Sequence, residues 1–291
     1  MNEWQKKMEE EVQLKEDITI ALAQISCRVG DKRQNIETMK KMAKSAQRIH
    51  ADLIAFPELS LTGYTVRDRA YEMAETVPDG PSLQEIETLA KNANVHIIFG
   101  MIEKAAKAEA VLHNTAVLVG PKGYIGKYQK MYLPTHSVFE EKRYFRPGYH
   151  TPIFQTDVGR IGLFICYDVY FPEVSRLLSV KGANLIVCIS ASPSVRRGFF
   201  ETLTAARAME NSVFLAFVNL AGIEDGLQFW GGSRVMAPSG SIITQAKYDA
   251  EDFIHARISF SDIKRVQAWV PTLRDLRPEI FTSLKEETEN L

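Results

Sequence analysis

Cys166 ends an apolar run, Ile161-Gly162-Leu163-Phe164-Ile165-Cys166, that reads as a strand, and Pro172 beyond it suits the first position of a helix. In open α/β sheets ligands bind outside the carboxyl ends of strands, so a thiol there can meet a substrate. It would act as a nucleophile. A thiol of ordinary pKa, ~8.5, is mostly protonated at neutral pH and needs a base or a cation beside it. Glu58 follows the run Asp52-Leu53-Ile54-Ala55-Phe56-Pro57, again at a carboxyl end. Lys130 shares one face of an extended segment with Tyr128 and Tyr132, whereas Lys127 points the other way. His136 is the histidine a papain-like Cys–His pair would use. Cys27 also ends a strand, and Cys188 reads as mid-strand core. Each residue has a plain alternative: a free cysteine is often a small buried hydrophobe, and a lone glutamate or lysine a solvated charge.

The elements that must carry these side chains follow a regular alternation. The pattern predicts strands at 18–25, 51–56, 96–101, 160–166, 185–190 and 213–219. A strand pair at 116–119 and 124–132 turns at Gly120-Pro121-Lys122-Gly123, and a hairpin at 233–245 turns at Ala237-Pro238-Ser239-Gly240. Helices are expected near 35–49, 82–92, 172–181 and 199–211. Strands that are apolar on both faces and alternate with helices argue for an α/β protein with covered sheets. Residues 1–17 read as a charged helical extension, 18–262 as one domain, and 263–291 as an arm, without a closing strand, that packs on a partner subunit.

Composition narrows the classes of function. The chain has 291 residues, 35 Lys+Arg against 36 Asp+Glu, and a net charge of −1. So balanced a chain gives no electrostatic reason to expect nucleic acid or an anionic membrane as partner. Its apolar stretches fall far short of the ~20 residues that span a bilayer. The opening MNEWQKKMEEEVQLKED has no apolar signal core. Three cysteines make no disulfide framework and point to reduced thiols in the cytoplasm. Six histidines never fall at i, i+4, and no Cys-x-x-Cys occurs, so neither metal nor cofactor is expected. The glycines before Lys127 miss the phosphate-loop spacing, no Gly-x-Gly-x-x-Gly follows a strand, and no Gly-x-Ser-x-Gly elbow exists.

Three segments occur together and in order: Phe56-Pro57-Glu58-Leu59, Lys127-Tyr128-Gln129-Lys130-Met131-Tyr132-Leu133-Pro134 and Ile165-Cys166-Tyr167-Asp168. They resemble the signatures of the nitrilase superfamily of carbon–nitrogen hydrolases. The likeness continues through 139–148, Ala206-Arg207-Ala208-Met209-Glu210-Asn211 and Gly231-Gly232-Ser233, covering roughly 18–280. It implies a four-layer αββα sandwich that forms a homodimer, with C-terminal arms crossing the interface. By the same resemblance Cys166 is the nucleophile, Glu58 the general base and then acid, and Lys130 the cationic stabiliser. Glu141 matches a second glutamate that positions substrate and lysine, and the Tyr167 backbone N–H shares the oxyanion. A neighbouring ammonium would favour the thiolate, then the oxyanion.

The resemblance also orders the substrates. Tyr167-Asp168 after the cysteine is similar to amidases and carbamoyl hydrolases, where true nitrilases usually carry Trp-Glu. Carbamoylases of D-amino acids place arginines just after that aspartate; here Val169 and Tyr170 stand there, against an N-carbamoyl amino acid. The segment looks more like aliphatic and N-carbamoylputrescine amidases, acting through a thioester on a small linear amide or carbamoyl compound. Tyr64, Tyr170, Ser192 and Trp230 are candidate pocket walls. Residues 138–145 also resemble the glutaminase domain of NAD synthetases, but the chain stops before an ATP-binding domain. The alternatives are a nitrilase, or an idle scaffold of the same fold.

Overall fold

Side-chain alternation in β1 (Asp17–Gln24) shows how the layers arise in the computed structural model, which describes residues 14–290. Ile18, Ile20 and Leu22 enter the core between two sheets, while Ala21 and Ala23 enter a second core under helices. Such a period of two is what a strand covered on both faces requires. α1 (Lys32–Arg48) opens with the Asp31 side chain accepting from the Gln34 N–H at 3.0 Å, a helix N-cap. With α2 (Pro81–Ala93) it buries Ile36, Met39, Ala43, Leu83, Ile86 and Ala90 against the outer face of the first sheet.

That sheet runs in the order β14-β1-β2-β3-β4-β5, with β2 at Leu53–Ala55, β3 at His96–Ala105, β4 at Ala108–Gly120, β5 at Gly123–Gln129 and β14 at Asp252–Ser259. β1, β2 and β3 are parallel, and the other pairings are antiparallel. The second sheet contains β6 (Ile153–Thr156), β7 (Gly159–Ile165), β8 (Leu185–Ser190), β9 (Phe214–Asn219), β12 (Arg234–Met236) and β13 (Ile242–Gln245). Its centre, β7-β8-β9, is parallel. α3 (Pro172–Val180) and α4 (Arg197–Asn211) cover its outer face with Val174, Leu178, Phe200 and Ala208. The result is the expected αββα sandwich. A small hairpin, β10 (Ala221–Glu224) with β11 (Leu227–Trp230), stands apart from both sheets.

Some expectations need correction. β4 begins well before residue 116, because its first half carries polar His113, Asn114 and Thr115 and lacks an apolar signal. The edge strand β14 was not foreseen; its exposed face bears His255 and Arg257. The expected N-terminal helix lies mostly outside the described residues. Leu14–Glu16 are not helical: the Lys15 N–H donates to the Asp157 carbonyl, and Glu16 accepts from the Phe260 N–H. The arm after β14 is helical, α5 (Ser261–Trp269) then α6 (Pro278–Glu289), and Thr272 Oγ1 donates to the Glu210 carbonyl of α4.

One glycine governs how closely the first sheet approaches the turn after β2. A Cβ on Gly100 of β3 would meet Leu59 N at 2.2 Å and Glu58 Cα at 2.9 Å. Gly100→Ala must therefore push the Glu58 backbone away. Overpacking of this kind costs about 1–3 kcal/mol, and for a chain this size each kcal/mol lowers Tm by about 2–4 °C. The expected outcome is a lower calorimetric Tm together with loss of whatever activity depends on Glu58. An unchanged Tm would contradict the packing described.

Candidate functional site

The sites predicted from sequence converge where strand ends of the two sheets meet. Glu58 lies just beyond β2, Lys130 just beyond β5 and Cys166 just beyond β7. Glu58 and Lys130 are wholly buried, and Cys166 and Glu141 are each only 4% exposed. Lys130 Nζ donates to Glu58 Oε1 and to Glu141 Oε1, both at 2.7 Å. Glu58 Oε1 also accepts from Asn114 Nδ2 at 2.7 Å, and Glu58 Oε2 accepts from the Ala191 N–H at 2.7 Å. Glu141 sits on the single helical turn Glu141–Tyr144, where its Oε1 also accepts from the Tyr64 hydroxyl at 2.7 Å. Its Oε2 is buried without a partner among the described residues.

Local backbone explains how these groups are presented. Leu59 and Cys166 hold φ of +49° and +46°, in the left-handed region that costs an L-residue of order 1–3 kcal/mol. Each sharp turn aims the side chain of a strand-end residue away from the sheet. Asp168, fully buried, fastens the Cys166 turn: its carboxylate accepts from the Ile165 N–H at 2.9 Å, the Tyr132 N–H at 2.9 Å and the Tyr128 hydroxyl at 2.8 Å. Arg207 of α4 donates through Nε to the Val169 carbonyl at 2.9 Å, closing the turn from the other side. Lys130 is clamped through its backbone, with the Gly148 N–H donating to its carbonyl at 2.8 Å. Only glycine fits there, since a Cβ would lie 2.3 Å from the Gln129 carbonyl oxygen.

Burial and charge set the protonation states. Burial would push the Lys130 ammonium down, but Glu141 and Glu58 outweigh it and hold its pKa well above the ordinary lysine value. Burial raises Glu141 to about 7, against the opposing pull of Lys130. It raises Asp168 to about 6. Burial and the Glu58 charge also drive the Cys166 thiol well above its ordinary value, more than Lys130 and the Ser190 hydroxyl lower it. The ammonium does pull toward the thiolate, as expected, but it is outweighed. Cys166 rests as a thiol, because desolvation and one carboxylate outweigh one shared ammonium.

Two cavities adjoin the cluster. One, of about 280 Å³, is lined by Cys166, Tyr167, Tyr170, Ser192 and Phe200, among others. A larger one, of about 550 Å³, reaches Tyr64 and Glu141 but not Cys166. Forming a carbon–sulfur bond demands contact with the sulfur, so the smaller cavity is the one that can seat a reacting carbonyl. Of the candidate pocket walls, Tyr170 and Ser192 line it and Tyr64 instead holds Glu141. Trp230 lines neither cavity. It is core: its ring stacks on Phe217 at 5.7 Å and its Nε1–H donates to Ser192 Oγ at 3.3 Å, bracing the wall from behind. His136 does line the cavity, with its ring against Phe139 and Tyr167.

Sequence reasoning missed Asn114, whose signal was an amide inside a strand, and Glu224. Buried Glu224 of β10 accepts from the Tyr64 and Thr65 N–H groups at 2.8 and 3.0 Å, anchoring the segment that presents Tyr64. Among the described residues, no group of three or more His, Cys, Asp or Glu side chains converges as a metal site would need. No described helix is long and apolar enough to cross a membrane.

Comparison with known proteins places this geometry in a family. The carbon–nitrogen hydrolase family model matches residues 19–268. A protein of Pyrococcus abyssi named nitrilase is 31% identical over 270 residues, spanning 91% of this chain and 99% of its own. The structure of a carbon–nitrogen hydrolase from Helicobacter pylori G27 superimposes with a TM-score of 0.85 at 26% identity, over 92% of this chain and 98% of the other. A mutant of the amidase from Nesterenkonia sp. AN1, carrying the acetamide moiety of fluoroacetamide on its active-site cysteine, matches with a TM-score of 0.80 at 26% identity, over 91% and 96% of the two chains. A buried Glu–Lys–Cys constellation at the strand ends of an αββα sandwich, matched along most of its length by that family model, leaves one conclusion: the chain belongs to the carbon–nitrogen hydrolases.

Proposed function

We propose that the protein is an amidohydrolase that opens a small linear amide or carbamoyl compound through a thioester on Cys166. The observation that carries the reading is the wholly buried Lys130, hydrogen-bonded at 2.7 Å to both Glu58 and Glu141 beside a thiol that lines a cavity. Glu58 Oε1 already accepts two donors and Oε2 only one, so the spare acceptor site on Oε2 suits the thiol proton. As that proton moves to Glu58, the sulfur bonds to the substrate carbonyl carbon. The carbonyl oxygen becomes an oxyanion facing Lys130 Nζ and the Tyr167 N–H. Glu58 then returns the proton to the departing nitrogen, and ammonia or an amine leaves. Water, deprotonated by Glu58, opens the thioester to a carboxylic acid and regenerates the thiol.

The unpartnered Glu141 Oε2 is suited to accept an N–H from the substrate. Tyr167-Asp168 after the cysteine favours an amide over a nitrile. A second copy of the chain fits the exposed apolar side chains of α3, α4 and α6, among them Leu177, Val180, Phe199, Met209, Phe281 and Leu284. We read the arm 263–291 as part of that dimer contact. Three free thiols support a cytoplasmic setting.

Cys166→Ala should lower ammonia release from a short amide by on the order of 10^4-fold or more while dimer and fold persist. Undiminished release in a coupled ammonia assay would sink the mechanism. The pH profile gives a second check. Glu141 gains a proton as pH falls through about 7, so kcat/KM for a neutral amide should decline on the acid side of that value. The limb should disappear in Glu141→Gln, with activity reduced throughout; an unchanged limb would exclude Glu141 as its source. Assaying a nitrile beside its matching amide should show the amide turned over faster. Light scattering should return twice the chain mass, against a single chain mass if the apolar faces are not an interface.

A further inference from the structure

The cavity in front of Cys166 holds a charge that the chemistry above leaves unused. Arg196 ends a short 3-10 turn, Ser194–Arg196, between β8 and α4, and its half-buried side chain lines that cavity. Among the described residues no Asp or Glu lines it. The next residue, Arg197, is neutralised by Glu201 at 3.2 Å and lies 3.5 Å over the Tyr248 ring. Arg196 has no carboxylate partner among the described residues; its guanidinium lies 5.9 Å from the centre of the Phe199 ring. A permanently charged fork of donors therefore faces a small cavity without a carboxylate among the described residues.

Beside it is a buried hydroxyl. The Tyr170 hydroxyl is buried and makes no hydrogen bond among the described residues. Arg196 is close enough to pull the phenol's pKa down against the burial that raises it. A buried hydroxyl that donates to nothing is destabilising, so the Arg196–Tyr170 pair is suited to be completed by an acceptor. The lack of arginines at 169 and 170 counted against an N-carbamoyl amino acid. Folding supplies a charge from another loop, beside the Tyr170 hydroxyl.

We propose that the substrate carries a carboxylate at the end remote from its amide or carbamoyl group, and that Arg196, with the Tyr170 hydroxyl, binds it. A planar carboxylate matches the guanidinium fork, and the small cavity suits a short molecule. The inference rests on the amidohydrolase reading and names the class of substrate for that same site.

The test is steady-state kinetics on near-isosteric pairs, succinamate against succinamide and glutaramate against glutaramide. For wild-type protein, kcat/KM should favour an anionic member by tenfold or more. Arg196→Ala should cut that ratio at least tenfold, chiefly through KM, Arg196→Lys should restore part of it, and Tyr170→Phe should lower it severalfold. No wild-type preference, or a ratio that survives Arg196→Ala, overturns the inference while leaving amide hydrolysis standing. Equal losses on both members leave the ratio unchanged and count as the same failure. If wild-type protein releases ammonia from none of the four, the amidohydrolase reading falls, and this one with it.

Discussion

An ammonium ion without water is the constraint around which this molecule is built. The effective penalty for burying an ion is several kcal/mol even after relaxation, and only good geometry with compensating charge repays it. Lys130 is wholly buried and meets that requirement with two carboxylates, each at 2.7 Å. Removing one partner from a buried pair typically costs about 3–5 kcal/mol, because the survivor stays behind uncompensated. Glu58, Lys130 and Glu141 therefore depend on one another. Since Glu58 follows a strand of one sheet and accepts from the Ala191 N–H just beyond a strand of the other, the cluster also ties the two sheets together.

The same constraint sets the reactivity of the thiol. One ammonium shared between two carboxylates has little positive charge left over for Cys166, and burial keeps the sulfur protonated. A resting thiol needs a base at the moment of attack, and a carboxylate held by three donors on fixed backbone is positioned for that task. Strain at Leu59 and Cys166 is tolerated because the Asp168 carboxylate over-determines the second turn, and β3 packs tightly under the first at Gly100. These supports lie in segments that are far apart in the sequence.

How much of this was legible depended on whether a signal was local. The strands around Ile20, Ile54, Leu163 and Val187 and the helices around Met39, Ile86 and Leu178 show period-two or helical spacing that reads directly. The order of the Glu58, Lys130 and Cys166 segments was also visible. The first half of β4 was not, since polar side chains interrupt it, and β14 was missed although Ile254, Ala256 and Ile258 alternate with His255 and Arg257. The raised pKa of the Cys166 thiol was not legible, because it follows from burial and the balance of charges around it and not from any spacing. Trp230 illustrates the opposite error: a large aromatic near a site motif turned out to be bracing. Arg196 and Glu224 lie in segments whose meeting with Tyr170 and Tyr64 is fixed only in three dimensions.

The central claim is that this buried acid–ammonium pair makes Cys166 the atom to which substrate carbon becomes attached. Acid quenching during turnover of a short amide, followed by intact-mass analysis and peptide mapping, tests it most directly. An acyl group of the substrate's mass on the peptide carrying Cys166, lost when turnover is allowed to finish, is the predicted result. Turnover with no acylated protein trapped under any quench, or acyl mass on Cys27 or Cys188, would contradict it.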